Sequence, residues 1–141
     1  MVFPGQGSQS VGMLDGWGDH PAVAQTLQEA SDALGENIGQ LIKDGPKEAL
    51  ALTTNTQPVM LVAGVAAFRV WMARTGQAPA AVAGHSLGEY AAMVAAGIVT
   101  MAQAAPLVRL RAQAMQEAVP VGQGSMAAVL GLPTDKVVAC C

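Results

Sequence analysis

Apolar positions recur at helical spacing from Pro21 to Leu34, where Val23, Leu27, Ala30 and Leu34 share one side, and predict a helix. Ile38 to Ile42 reads as a short apolar turn, and Lys47 to Leu52 as a short helix. Val59 to about Arg74 is uncharged until Arg69, the pattern of a helix buried on most faces, and Pro58 opens it where a missing N–H costs nothing. Gly76 and Pro79 break the pattern. Ala80-Ala81-Val82-Ala83 is too short for a helix and reads as a buried parallel strand. Leu87 to Ala96 is apolar nearly all round and stops at Gly97. Thr100 caps a helix running to about Glu117, in which Pro106 either makes a kink or marks a start near Ala105. Val119 to Gly124 reads as a linker, and Ser125 to Leu132 as a strand entering a second subdomain. Strand, helix and strand in alternation predict an α/β fold with a parallel sheet.

The ends refine this picture. Val2-Phe3 reads as the tail of a strand and leads into a two-glycine loop, Pro4 to Gln9. The other end stops just after a new element begins, so the sequence reads as a fragment. Hydrophobic residues make up 52% of the 141 and charged residues 12%, which excludes a disordered chain. A formal charge of −3 leaves no basic footprint for nucleic acid. The uncharged window Tyr90 to Val108 is alanine-rich and broken by Gly97, Thr100, Gln103 and Pro106, so it reads as two buried elements rather than a membrane span. No signal peptide opens the chain. Cys140 and Cys141, the only cysteines, offer neither a disulfide framework nor metal spacing, so no metal is expected and a cytoplasmic setting fits.

The strongest chemical signal is Gly84-His85-Ser86-Leu87-Gly88, a G-x-S-x-G match with a strand before it and a helix after it. A sharp strand-to-helix turn exposes the Ser86 hydroxyl, and the glycines let the turn pack. The helix N-terminus brings N–H groups and partial positive charge to an oxyanion. The plain alternative is a chance match in a Gly/Ala-rich chain. His85, next to Ser86 on a tight turn, points away from it and reads as packing or hydrogen bonding beside the elbow. His20 reads as a surface residue. Neither serves as general base, which a serine nucleophile needs. Glu89 reads as a helix-dipole partner in the first turn.

Arg109 and Arg111 face opposite ways at about 100° per residue. Arg109 lies with Gln113 and Gln116 on the polar face. Arg111 lies amid Leu107, Val108, Leu110, Ala114 and Met115 and faces inward, needing an anion. Two readings stand level: a structural ion pair, with Glu89 as one candidate partner, or a grip on a substrate carboxylate.

Together these motifs carry a resemblance. Phe3 to Gln9, Thr56-Gln57-Pro58, Gly84 to Glu89, Arg111, and Met115 to Pro120 followed by Gly124 to Ala128 come in the order found in malonyl-CoA:acyl carrier protein transacylases of bacterial fatty acid synthesis. The sequence resembles the acyltransferase domains of polyketide synthases more distantly. The resemblance implies an α/β-hydrolase-like subdomain, here residues 1–121, with a ferredoxin-like small subdomain begun by residues 122–141. It implies that Ser86 is acylated, that the backbone N–H groups of Gln6 and Leu87 form the oxyanion hole, and that Arg111 binds the malonyl carboxylate. His85 and Gln57 would support the site. Malonyl-CoA and acyl carrier protein would be the partners, with no resident cofactor. The catalytic histidine of such enzymes lies downstream of the arginine, in a part that this sequence lacks. Two other readings compete: a serine hydrolase such as an esterase or thioesterase, which has no reason to bury Arg111, and a non-catalytic truncated domain.

Overall fold

The computed structural model describes residues 1–120, 122–124 and 129–140. Two short parallel strands, β1 (Val2–Phe3) and β2 (Ala83–Gly84), pair with Val2 opposite Ala83 and Phe3 opposite Gly84. Between them run α1 (Pro21–Leu34), α2 (Ile38–Asp44), α3 (Lys47–Ala51) and α4 (Thr53–Thr75). After β2 come α5 (Leu87–Ala95), α6 (Met101–Ala118) and α7 (Thr134–Val138). The described residues are therefore mostly helical around a small parallel sheet, which agrees with the α/β expectation in its coarse form.

α4 is the core. Its middle is buried on most sides, with Val59, Leu61, Val62, Val65, Ala66 and Val70 fully enclosed among α1, α5 and α6. By length and composition α4 could cross a membrane, but 61% of its most apolar window is buried inside this fold. A core helix has that composition because most of its faces are shielded from water. Gly64 lets the sheet approach: a Cβ there would stand 3.2 Å from the Phe3 ring and 3.4 Å from the Ala91 methyl. So β1, α4 and α5 meet at one point, and the C-terminal ends of both strands open beside the start of α5.

Helix boundaries follow local chemistry. His20 caps α1 by accepting the Ala22 N–H at Nδ1 (3.2 Å), with Pro21 in the first turn and left-handed Gly35 at the end. Thr100 and Gln103 form a reciprocal capping box at the start of α6. Pro106 sits inside α6, which starts at Met101 and not near Ala105.

Four expectations shift. Ile38–Asp44 is a helix rather than a turn, capped by the Asn37 side chain on the Gln40 N–H. α4 begins at Thr53, five residues before Pro58. Its first turn is anchored on α3: Thr56 Oγ1 donates to the Leu50 carbonyl (2.6 Å) and Asn55 to that of Ala49 (2.9 Å). The second strand is two residues long, and Ala81 and Ala83 are exposed, not buried. Among the described residues only β1 lies beside it, so its far edge is open. Of the strand expected at Ser125 to Leu132, residues 125–128 lie outside the described residues and Val129 to Leu132 form no strand.

Candidate active site

Ser86 stands between β2 and α5 with φ 54° and ψ −115°, the one non-glycine residue with positive φ among the described residues. A side chain in that region is strained, and such strain concentrates at functional sites. The glycines on either side allow it. A Cβ on Gly84 would stand 2.0 Å from the Gly88 carbonyl carbon, and a Cβ on Gly88 would stand 2.3 Å from the Phe3 carbonyl oxygen. Both collisions are with backbone, so no side chain can swing aside. The G-x-S-x-G pattern is thus read directly in the packing of strand end on helix start.

The turn is closed by Gly88 N–H on the His85 carbonyl (2.9 Å) and Glu89 N–H on that of Ser86 (3.2 Å). Leu87, at the first position of α5, has no intrahelical acceptor for its N–H. The glycine loop after β1 runs alongside: Gly5 lies so near the elbow that a Cβ would meet the His85 carbonyl oxygen at 3.3 Å. Gln6 follows in that loop and ties it to α4 through Nε2 to Thr53 Oγ1 (3.3 Å). Among the described residues neither the Gln6 nor the Leu87 N–H has a protein acceptor. The structure therefore brings the Gln6 loop and the start of α5 to the same corner as Ser86.

Arg111 reaches that corner from α6. Its Nη2 lies 2.9 Å from Ser86 Oγ, Nη1 donates to Gln57 Oε1, and its Cζ stands 5.8 Å from the Tyr90 ring centre. Every one of these partners is neutral. The ion pairs among the described residues are Arg69 with Glu29 and Arg109 with Glu36, so Glu89, which is exposed, is not the partner of Arg111. Gln57 is 1% exposed, and its amide also donates to Met115 Sδ (3.2 Å), so one buried carboxamide holds Arg111 and faces the next turn of α6.

The inward apolar face of α6 is placed differently from the expectation. Met101, Ala104, Ala105, Val108 and Ala112 are buried, while Leu107 and Leu110 are 46% and 62% exposed. Arg111 flanks the buried stripe and is half-buried rather than central in it. Arg109 flanks the stripe on the other side. It was assigned to the polar face, yet it donates to the Thr54 carbonyl, to Asn55 Oδ1 (3.1 Å) and to Glu36. Burial lowers the pKa of its guanidinium from the ordinary value. The sequence signal for this role is Pro58, which leaves a helix carbonyl without its donor.

His85 is exposed and makes no side-chain hydrogen bond or ion pair among the described residues, and His20 caps α1. Neither reaches Ser86. No group of His, Cys, Asp and Glu suited to a metal occurs among the described residues. Two surface cavities of about 620 and 660 Å³ lie elsewhere, one along β1 and α4 and one beside α2. Neither is lined by Ser86 or Arg111.

The chain is similar in sequence and fold to known proteins. Residues 1–141 match the family model described as the acyl transferase domain. The malonyl CoA-acyl carrier protein transacylase of Escherichia coli strain K12 is 52% identical over 141 residues, covering 99% of this chain and 46% of that protein. The crystal structure of an acyl-carrier-protein S-malonyltransferase from Burkholderia pseudomallei 1710b is 64% identical, with a TM-score of 0.89 over 98% of this chain and 45% of that one. A malonyl-transacylase solved in complex with a type II polyketide synthase acyl carrier protein is 55% identical, with a TM-score of 0.80 over 85% of this chain and 39% of that one. The chain thus spans about half the length of the curated relatives it matches. A strained serine between two obligatory glycines, with an arginine beside it, sits in a sequence that matches one family model from end to end: the chain belongs to the acyl transferase domain family.

Proposed function

We propose that this chain carries the nucleophile and the acyl-recognition arginine of an enzyme that moves a malonyl group from coenzyme A to the phosphopantetheine thiol of acyl carrier protein in fatty acid synthesis. The observation that carries the reading is the guanidinium of Arg111, 2.9 Å from Ser86 Oγ and held only by neutral groups. A permanently charged fork beside a nucleophile suits an acyl group that brings its own carboxylate.

In this reading Ser86 Oγ attacks the thioester carbonyl of malonyl-CoA, and the developing oxyanion lies between the N–H groups of Gln6 and Leu87. Coenzyme A leaves as its thiol, and the carrier thiol then attacks the seryl ester. Arg111 binds the malonyl carboxylate throughout, and Gln57 keeps the guanidinium directed. His85 shapes the elbow through its backbone carbonyl. The general base comes from the part of the relatives' length that this chain does not span. Residues 1–121 belong to an α/β-hydrolase-like subdomain, and residues 122–141 begin a ferredoxin-like small one. A cytoplasmic location completes the reading.

Ser86→Ala in the full-length enzyme tests this first. Incubation with malonyl-CoA is expected to add a malonyl mass to the parent protein and none to the variant. A stable acyl mass on Ser86→Ala places the nucleophile elsewhere and overturns the reading.

A further inference from the structure

We propose that Arg109 is a positioning residue for acyl-group selection, acting through the first two turns of α4. The inference rests on the carboxylate-binding role given to Arg111.

Pro58 has no N–H, so the carbonyl of Thr54, four residues earlier in α4, lacks its usual helical donor. A buried carbonyl without a donor is costly and leaves its turn free to distort. Arg109 Nη1 supplies the missing donor and also reaches Asn55 Oδ1 (3.1 Å), while Nη2 pairs with Glu36. One side chain therefore joins α6, the opening of α4 and the end of α1. The side chain of Arg109 is 17% exposed, so its charge is largely withdrawn from water and committed to these partners.

Gln57 is the residue immediately before Pro58. Its buried carboxamide is the group that directs Arg111 Nη1. The two arginines of α6 thus hold α4 at adjacent points, Arg109 at Thr54 and Asn55 and Arg111 at Gln57. Loosening the first contact lets the turn around Pro58 relax, and Gln57 then loses its fixed aim. Arg111 would still be present and charged but spread over several directions. A two-pronged grip on a carboxylate depends on direction, whereas attack of Ser86 on an acyl group without a carboxylate does not use Arg111 at all.

The test compares transfer of malonyl and acetyl groups from coenzyme A in the full-length enzyme. Arg109→Ala is expected to lower the malonyl-to-acetyl preference about tenfold, the order of one lost hydrogen bond to a charged group, through the malonyl rate alone. Pro58→Ala restores an N–H for the Thr54 carbonyl, so adding it to Arg109→Ala is expected to recover most of the preference. Arg109→Lys keeps the charge facing Glu36 but loses the fork, and carries the same comparison if Arg109→Ala does not fold. Equal loss on both substrates, or no recovery by Pro58→Ala, overturns the proposal and leaves Arg109 a structural clamp. Arg111→Ala is the reference. If it leaves the preference unchanged, the role of Arg111 fails first and this inference falls with it; if only Arg111→Ala narrows the preference, this inference alone is wrong.

Discussion

Arg109 and Arg111 are two residues apart on one helix, flank the same buried stripe, and are treated in opposite ways. Arg109 is given a carboxylate, a carbonyl and an amide, and its charge is balanced within the fold by Glu36. Arg111 is given a hydroxyl, an amide oxygen and an aromatic face, and no carboxylate among the described residues. An arginine cannot shed its proton when it is taken from water, so a fold normally supplies the counter-charge. Arg109 shows that this fold can do so at a neighbouring position. That Arg111 has none among the described residues, beside a strained serine, supports the proposed role in which its anion is a visiting acyl group rather than a resident side chain.

The largest break in this comparison is Arg111→Ala. In the full-length enzyme it is expected to lower malonyl transfer by about a hundredfold, the scale of a truncated charge pair, while acetyl transfer changes little. Arg111→Lys is expected to restore part of the loss, because an ammonium keeps the charge and not the planar fork. Steady-state transfer assays with both thioesters read this. Equal losses on the two substrates make Arg111 a structural residue, and a plain serine hydrolase then explains the elbow as well.

A smaller break is Glu36→Gln, which removes the resident counter-charge of Arg109. Glu36 is 43% exposed on its side chain, so the loss is expected to cost about 1 kcal/mol of stability and no acyl preference beyond it. Thermal melting of the full-length enzyme measures this. A variant as stable as the parent shows that the Thr54 carbonyl and Asn55 hold Arg109 without the charge.

Much of the site was legible in the sequence because it depends on local rules. Gly84 and Gly88 around Ser86 could be read from spacing, since a strand that turns sharply into a helix leaves no room for side chains at the two glycines. Helix α1 and the cap at Thr100 followed from periodicity and capping chemistry. The start of α4 was not legible. Pro58 reads as a helix opener, whereas it lies inside the helix, where the Thr54 carbonyl is met by Arg109 from far along the chain. The buried face of α6 was misplaced for a related reason. Apolar residues predict burial, yet Leu107 and Leu110 are exposed while small alanines make the packed stripe. Close packing of α6 on α4 selects small residues, and hydrophobicity alone ranks leucine above alanine.

The smallest effect lies at a third arginine and serves as a control for the other two. Arg69 donates to Glu29 (2.8 Å) and to Thr26 Oγ1 (3.0 Å), joining α4 to α1 far from Ser86. The hydrogen bond from Arg69 is the main cause that holds the Glu29 carboxyl below its ordinary 4.5; burial opposes it, and the Gln25 amide and the Arg69 charge add to it. A carboxyl whose pKa is lower in the folded state stabilises the fold above its unfolded value and loses that contribution as pH falls through the folded one. The gain from Glu29 is therefore expected to be complete at neutral pH and to fade below about 4.5. Glu29→Gln removes the titration, so the melting temperatures of parent and variant should differ most near pH 7 and converge on acidification. Both side chains are partly exposed, so added salt should shrink the neutral-pH difference as well. Arg111 has no such carboxylate among the described residues, so removing it should leave no comparable acid-dependent loss of stability. A parent–variant difference for Glu29→Gln that stays constant from pH 7 to pH 3 would show that Arg69 is held by Thr26 alone.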